Sequence, residues 1–441
     1  LGSQTAQLIW NFTNSSTLAM NPVITEAADY NAGFAVSDDG TIYYATDPYL
    51  WAIDPFGQEK WRFDIGGTVF GSNPTLGWDG TIYLGIYNMP SRNVSNYLWA
   101  IFPNGTERWH IAFAKSEGIR SSVVIDNDGL LYVVTVRANI YVIWQNGTVK
   151  HSRQVNTRPD ANTTVRNYSP VLTQDNLLVV PLQTPGYLEA YDILDDLNFI
   201  WLYDTGCNRP LAAGLKEEIQ STPSVDEEGT IYIGDMCGLF HAVNPDGTSK
   251  WVTSTSTTDT DGFKYGGCAV SYNKTVYQGN SDGHMYAFST TNGNILWNLT
   301  LSGSPIYGTP LLGGDGTIYF GDHAKRFYAV SQDGSLLWDF VAQDSIYTPA
   351  TINSDGTIYI SDNSGWLYAF RGGLPQSMLT TTETPTEIPT HRPSFSLATA
   401  GQYLNSVWPK LGRTQGNTGQ SPVLGSQTAQ LIWNFTNSST L

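Results

Sequence analysis

Three features of the sequence predict an all-β fold. The composition combines 43 glycines and 22 prolines with 41% hydrophobic and 13% aromatic residues, which suits many short strands joined by tight turns. A unit of roughly 40–50 residues recurs along the chain. Most copies of this unit contain an Asp-Gly turn followed by an alternating β-branched and aromatic stretch, the pattern typical of a β-hairpin. We therefore expect repeated antiparallel sheets.

Each repeat reads as four short strands. A small or Pro-led apolar strand is followed by a D-G turn, an alternating TIYxG strand, an LxAxx strand, an N-G or D-G turn, and a last strand that ends in Trp. A four-stranded unit cannot bury both faces alone, whereas radial stacking buries them. Eight copies predict an eight-bladed β-propeller of four-stranded blades. Clear copies begin at Asp39, Asp79, Asp128, Glu228, Asp315 and Asp355, and weaker copies run from Ser169 to Trp201 and from Asn273 to Trp297.

The ends of the chain predict how the ring closes. Residues 1–371 are assigned to the propeller, but its last repeat, 348–371, has only three strands. The segment LIWNFT around Trp10 is predicted to supply the fourth strand, which removes two exposed edges. Residues 372–407 are Thr- and Pro-rich and predict a linker; an O-glycosylated stalk and a plain surface loop remain open. Residues 408–441 are predicted to join one unit to the next.

The first eighteen residues, LGSQTAQLIWNFTNSSTL, return letter for letter at Leu424–Leu441. One interpretation is an artefactual overlap of the two ends; the other is that units join here. The copied strand, with Leu431, Ile432, Trp433 and Phe435, has no slot left in its own ring. It is predicted either to begin the next propeller of a covalent tandem repeat or to enter a neighbour's last blade by strand donation. Such a head-to-tail homopolymer grows into a filament when the contact does not close.

Charge and sequons indicate where the protein acts. The formal net charge is −17, which argues against nucleic acid as a partner because phosphate binding needs Lys/Arg clusters. The sequence contains no apolar run of about eighteen residues, so it predicts no membrane-spanning helix. Dense N-x-[ST] sequons favour a secreted, extracellular glycoprotein with covalently attached glycans, and an Asn/Thr-rich turn composition is the alternative. The candidate acceptors are Asn11, Asn14, Asn93, Asn104, Asn146, Asn162, Asn167, Asn273, Asn298, Asn434 and Asn437.

The chain has three cysteines, Cys207, Cys237 and Cys268. In a secreted protein two of them are expected to form a disulfide, and the third is expected to be buried or to bond another chain. Which two pair stays open at this point.

The repeat pattern xxPxxxxDGTIYxG…LYAxxxxGxxxW resembles the PQQ-like repeats of quinoprotein-dehydrogenase-like propellers over residues 8–371. Residues 408–423, WPKLGRTQGNTGQSPV, are similar to a leader that precedes the first blade in this family. The dehydrogenases of the superfamily hold a quinone with a disulfide between adjacent cysteines, a Ca²⁺ ion and a catalytic Asp. This chain has no adjacent cysteines. The resemblance therefore implies a non-enzymatic member, and no catalytic, cofactor-binding or metal-binding residue is assigned.

Other motifs have structural interpretations. The Asp-containing turns at 37–40 and 126–129 lack the ligand set of a calcium loop and predict hairpins. The recurring Trp residues predict core positions rather than sugar-stacking sites, and His151 and His241 occupy structural positions. The favoured function is a structural repeating subunit of an extracellular glycosylated fibre or surface layer. The alternative is a monomeric secreted propeller acting as an adhesin or a protein- or carbohydrate-binding scaffold, and a remote alternative is a quinone-dependent dehydrogenase.

Overall fold

A computed structural model of the 441-residue chain describes most of the predicted propeller. The described residues are 7–13, 33–69, 72–88, 95–156, 168–184, 186–207, 219–255 and 262–371. For residues 7–13 and for Arg371 only the backbone is described. The predicted linker 372–407 and joining segment 408–441 lie outside the described residues, so both stay predictions.

In the described part of the chain, thirty-two strands form eight four-stranded antiparallel sheets, which confirms the predicted eight-bladed β-propeller. The innermost strands of blades 1 to 8 are β2 (Phe34–Val36), β6 (Thr75–Leu76), β10 (Val124–Ile125), β14 (Val171–Leu172), β18 (Ser224–Val225), β22 (Ala269–Ser271), β26 (Leu311–Leu312) and β30 (Thr351–Ile352). The second strands are β3 (Ile42–Thr46), β7 (Ile82–Gly85), β11 (Leu131–Val134), β15 (Leu177–Leu182), β19 (Ile231–Gly234), β23 (Thr275–Gly279), β27 (Ile318–Gly321) and β31 (Thr357–Ser361).

The outer half of each blade completes the sheet. The third strands are β4 (Tyr49–Ile53), β8 (Asn96–Ile101), β12 (Asn139–Ile143), β16 (Tyr187–Asp192), β20 (Leu239–Val243), β24 (His284–Ser289), β28 (Arg326–Val330) and β32 (Trp366–Arg371). The fourth strands are β5 (Glu59–Asp64), β9 (Glu107–Phe113), β13 (Val149–Gln154), β17 (Asn198–Asp204), β21 (Ser249–Ser254), β25 (Ile295–Thr300), β29 (Leu336–Val341) and, in blade 8, β1 (Gln7–Thr13). None of the described residues forms a helix that could cross a membrane.

The Asp-Gly turns between the first and second strands are hairpins, as predicted. Gly40 and Gly129 have φ values of +80° and +81°, a left-handed conformation that glycine adopts at little cost. The Asp39 carboxylate accepts a hydrogen bond from the Thr41 amide at 3.0 Å. The Asp126 carboxylate likewise accepts from the Leu130 amide at 2.8 Å. These carboxylates hold their own turns.

The hydrophobic core lies between neighbouring blades. One cluster joins Tyr43 and Ala52 of blade 1 to Leu76 and Ile82 of blade 2. In six blades the outer-strand Trp packs in or against such a cluster, and in five of them its indole donates to a carbonyl of the next blade. The Trp61 Nε1 donates to the Pro103 carbonyl at 2.9 Å. This confirms the prediction that the recurring Trp residues belong to the core.

One backbone register recurs in the outer half of the blades. In six blades the outer Trp lies opposite a third-strand Ala, and the ladder shifts by one residue immediately afterwards. These pairs are Ala52↔Trp61, Ala100↔Trp109, Ala190↔Trp201, Ala242↔Trp251, Ala287↔Trp297 and Ala329↔Trp338. In blade 3 the same register pairs Val142 with His151, the predicted substitute for Trp. In blade 8 it pairs Ala369 with Trp10, with the shift between Leu8 and Trp10. That this strand closes the ring stays a prediction that a Trp10 variant can test.

Candidate functional site

The last blade has an outer-strand position that we call the blade-8 slot, defined by the edge of β32 from Trp366 to Phe370. Aromatic side chains of blades 7 and 8 pack together beside the slot. The Phe340 ring lies 4.9 Å from that of Phe370 and 5.4 Å from that of Tyr368. The Trp338 ring lies 6.0 Å from that of Phe370. The slot therefore presents strand hydrogen-bonding groups next to packed aromatic rings.

The predicted joining strand lies outside the described residues, but its sequence fixes the register it would adopt. Residues 424–441 repeat residues 1–18, and Leu8, Trp10, Asn11 and Phe12 pair with Phe370, Ala369, Tyr368 and Leu367. A copy in the same register would set Leu431, Trp433, Asn434 and Phe435 against those four partners, with Ile432 at the irregularity. The two copies are identical in the residues that pair with β32.

The described sequon asparagines are exposed on the surface. Asn104, Asn146, Asn273 and Asn298 all have exposed side chains, as attachment of a glycan requires. For Asn11 only the backbone is described. The other predicted acceptors lie outside the described residues: Asn14, Asn93, Asn162, Asn167, Asn434 and Asn437.

Cysteine pairing, which sequence reasoning left open, is given by the structure. Cys207 and Cys237 form a disulfide with a sequence separation of 30. It ties the segment after β17 of blade 4 to the turn between β19 and β20 of blade 5. Cys268 is a free, buried thiol, and burial raises its pKa to about 12.

A buried polar chain lies beside this disulfide. The His241 Nε2 lies 3.1 Å from an Asp235 carboxylate oxygen, and its Nδ1 lies 3.0 Å from the Tyr203 hydroxyl. Asp235 also accepts hydrogen bonds from the amides of Cys237 and Leu239 at 2.9 and 2.8 Å. His241 thus has the structural position that the sequence predicted.

These residues do not fit a metal or a quinone. Ligand atoms of Cys207, Asp235 and Cys237 lie within 4.8 Å of one another, but the two sulfurs are bonded to each other and thiolates are what bind metals. Backbone amides and His241 already donate to the Asp235 carboxylate. The disulfide joins residues thirty positions apart rather than adjacent cysteines. No catalytic step is derived through either group.

An arc of aromatic rings lies on one face of blades 6 to 8. Tyr265, Tyr307 and Tyr347 each stand four residues before the innermost strand of their blade and are half-buried. The Tyr265 and Tyr307 rings are 5.2 Å apart, and the Tyr307 and Tyr347 rings 5.4 Å. The exposed His323 ring lies 5.3 Å from that of Tyr347. Sequence reasoning missed this arc, although Tyr at one repeat position in three successive units was the available signal.

Comparisons with known proteins agree on the fold. The sequence model of the family described as outer membrane protein assembly factor BamB matches residues 237–373. No curated protein matches the chain in sequence. The crystal structure of BamB from Moraxella catarrhalis has a TM-score of 0.64 at 14% identity, covering 83% of this chain and 99% of that one.

Two dehydrogenase structures are similar to the chain as well. The quinohemoprotein alcohol dehydrogenase from Comamonas testosteroni has a TM-score of 0.60 at 12% identity, covering 89% of this chain and 79% of that one. A europium-containing methanol dehydrogenase has a TM-score of 0.59 at 14% identity, covering 80% and 84%. The same fold therefore occurs in BamB and in these dehydrogenases, and at such identities the likeness concerns the fold alone. The chain is therefore an eight-bladed β-propeller, and its residues 237–373 match the BamB family model.

Proposed function

We propose that the chain is a structural repeating subunit of an extracellular, glycosylated fibre or surface layer, joined head to tail through its terminal strand. The joining takes place either by strand donation between separate chains or by covalent tandem repetition. The observation that carries the proposal is the blade-8 slot. One stretch of sequence fits that slot, and the chain contains this stretch twice.

The register explains why two copies of the LIWNFT strand imply that rings are joined to one another. A strand in the slot gains main-chain hydrogen bonds along β32, and its Trp reaches the position that Trp occupies in six other blades. A ring has one such slot, so the second LIWNFT strand either pairs with another ring or leaves an apolar strand unpaired. If the second strand joins the last blade of a neighbouring ring, the strand is paired and the blade-8 slot of that ring is filled.

The remaining parts of the proposal have separate support. Four described sequon asparagines are exposed, which agrees with a glycosylated, secreted protein. The Cys207–Cys237 disulfide agrees with an oxidising compartment. The cysteine arrangement does not fit that of the quinone-dependent enzymes, and this favours a non-enzymatic role.

The test is a pair of matched variants of the full chain. Trp433→Ala truncates the residue that would lie opposite Ala369 of a neighbour, and Trp78→Ala truncates an exposed Trp outside the joining segment and the blade-8 slot. We expect filaments of the unaltered chain and of Trp78→Ala in negative-stain images, and separate particles for Trp433→Ala. Filaments of Trp433→Ala as long as those of the control would contradict joining by strand donation.

The aromatic arc favours a second candidate function, a monomeric propeller that binds carbohydrate. Partly exposed rings such as Tyr307 and Tyr347, whose planes are inclined by 38° to each other, can pack against the apolar face of a sugar. This reading predicts that the chain forms no filaments, and that it binds immobilised oligosaccharides on a glycan array. It also predicts that Tyr307→Ala loses the array signal while Phe56→Ala, an exposed aromatic far from the arc in sequence, keeps it.

A further inference from the structure

Five of the turns between third and fourth strands share one geometry; we call them the outer turns. In each, the first residue's amide donates to the fifth residue's carbonyl, and the glycine at the fourth place donates back to the first carbonyl. These paired bonds span 2.8–3.0 Å, and the glycines have φ between +82° and +85°. The outer turns are residues 54–58, 102–106, 144–148, 244–248 and 331–335.

The first residue of an outer turn is polar in three cases and holds the turn through its side chain. The Asp54 carboxylate accepts from the Gln58 amide at 2.8 Å. The Asn244 Nδ2 donates to the Thr248 hydroxyl at 3.0 Å. The Ser331 hydroxyl donates to the carbonyl of residue 335 at 3.1 Å. A side-chain cap is thus the ordinary solution in this repeat.

The other two outer turns begin with aromatic residues, Phe102 and Trp144, which cannot cap. Their side chains remain 40% and 45% exposed. These are also the two outer turns whose third residue is Asn and whose fifth is Thr, giving Phe-Pro-Asn-Gly-Thr and Trp-Gln-Asn-Gly-Thr. Among the outer turns, an aromatic residue at the first place and a sequon at the third therefore occur together.

The turn orients the acceptor amide. The Asn104 Oδ1 accepts from the Thr106 amide at 3.0 Å and from its hydroxyl at 2.7 Å. The Asn146 Oδ1 accepts from the Thr148 amide at 2.9 Å. Because the oxygen is held toward the Thr, the nitrogen lies on the opposite side of the carboxamide. Beside Asn146 a hollow of about 290 Å³ is lined by Asp128, Gly129, Trp144, Gln145 and Asn146.

We propose that Asn104 and Asn146 carry N-linked glycans whose first sugar packs on the ring of Phe102 or Trp144, so that the glycan becomes part of the folded turn. This rests on the glycosylation in the proposed function and deepens it. The apolar face of a pyranose ring covers exposed aromatic carbon, which removes apolar surface from water. At Asn146 the first sugar occupies the hollow, and the Asp128 carboxylate accepts a hydrogen bond from a sugar hydroxyl.

The modification needs a polyprenyl-diphosphate-linked oligosaccharide as donor. The Asn Nδ2 forms a bond to the anomeric carbon of the first sugar, and the bond from that carbon to the diphosphate oxygen breaks. The polyprenyl diphosphate leaves with the electron pair, and the amide nitrogen loses one proton. No group is oxidised or reduced.

A competing explanation for the rings is cation–π contact. The Arg108 guanidinium carbon lies 5.5 Å from the Phe102 ring centre, and the Lys150 Nζ lies 5.4 Å from the Trp144 ring centre. If these contacts account for the aromatic residues, removing a ring should destabilise the protein equally with and without a glycan. If the sugar uses the ring, the effect of the ring should depend on the glycan.

The first experiment is a cycle on the full chain secreted from a eukaryotic host, using Trp144→Ser, Asn146→Gln and both together. We expect Asn146→Gln to lower Tm on the order of 2 °C, the size of one lost surface interaction in a large domain, and Trp144→Ser to abolish that difference. Trimming each glycan to its first sugar should leave Tm unchanged. Asn298→Gln, with Leu296 two residues before it, is the control whose effect Trp144→Ser should not alter. Equal effects of Trp144→Ser in glycosylated and unglycosylated protein would overturn the proposal.

The second experiment builds the motif where it is absent. Asn244→Phe with Asp246→Asn writes Phe-Pro-Asn-Gly-Thr into the outer turn of blade 5, and Asp246→Asn alone creates the sequon without the ring. We expect higher glycan occupancy at position 246 in the double variant by peptide mass spectrometry, together with a glycan-dependent rise in Tm. Unoccupied Asn104 and Asn146, or equal occupancy and Tm in the two variants, would contradict the proposal. Filament imaging of the same samples reports separately on the proposed function.

Discussion

At the scale of single residues, His241 shows how one substitution links two blades. In blades 7 and 8 the same position is Tyr328 or Tyr368, whose hydroxyl donates to the Asp322 or Asp362 carboxylate at 2.9 or 2.8 Å. His241 keeps the contact to Asp235 and adds one to Tyr203 of the preceding blade. The second ring nitrogen of histidine makes this additional contact feasible.

Replacing His241 should therefore show graded losses of stability. His241→Phe leaves a buried carboxylate oxygen and the Tyr203 hydroxyl without this partner, and we expect a loss on the order of 3 kcal/mol in the free energy of unfolding. His241→Tyr restores the arrangement of blades 7 and 8 and should lose less. Chemical denaturation checks both, with the half-buried His151 changed to Phe as control. Equal losses for the Phe and Tyr variants would contradict the role of the Asp235 contact.

Cys268 should be inert in the folded protein. Burial raises the pKa of its thiol from 9 to about 12, so the thiolate that reacts with maleimide is scarce at pH 8. Because the folded pKa is raised, the stability gained is fully present below pH 9 and is lost as pH rises toward 12. We expect one equivalent of maleimide to react at pH 8 only after denaturation, and none in Cys268→Ser. Rapid labelling of the native protein would show that the thiol is accessible.

The residue-scale features were only partly predictable from sequence. The exposed sequons and the structural roles of the Trp and His residues follow from repeat position. The pairing of Cys207 with Cys237 does not, because thirty residues of chain separate them and blade packing brings them together. The partners of His241 come from two blades and were hidden for the same reason.

At the scale of elements, alternation and turn chemistry predicted most strands. Blade 4 lacks the DGTIY signature, yet β14–β17 form a complete sheet. Its first turn uses Asn176 with φ of +61°, since Asn tolerates the left-handed region better than most residues. The degenerate repeat of blade 4 was nevertheless recognisable in the sequence, because its strands keep the alternation of apolar residues. The outer turns, by contrast, share only a glycine at the fourth place of the sequence, and their common backbone hydrogen bonds are apparent only in the structure.

Ring closure by β1 makes a prediction for β32. In Trp433→Ala protein, which we expect to be monomeric, the β32 amides that face β1 should resist hydrogen exchange. Adding Trp10→Ala, a large-to-small change of a kind that costs about 3–5 kcal/mol in a core, should expose them. Hydrogen-exchange mass spectrometry of peptides spanning residues 366–371 measures this, with Trp78→Ala added to Trp433→Ala as the control. Unchanged exchange in the double variant would contradict closure by the N-terminal strand.

At the scale of the whole molecule, the eight-bladed ring was predictable because every repeat encodes the same sheet and the sheets bury one another. The joining of rings stays a proposal that rests on the copied ends. In the proposed assembly, two identical strands, one from the same ring and one from a neighbour, would compete for the blade-8 slot, and the sequence of one chain does not encode which of them wins. A net charge of −17 and attached glycans would keep assembled rings soluble and separate from one another laterally.

Head-to-tail joining of propellers is tested most directly on native material. Negative-stain imaging without denaturant should be paired with the mass of the same sample after denaturation and deglycosylation. We predict fibres of regularly spaced rings. A single species of one chain's mass would mean strand donation, and multiples of the 423-residue period between the copied ends would mean a covalent tandem repeat. Compact single particles with no fibres would contradict the structural-polymer function and favour the monomeric binding propeller.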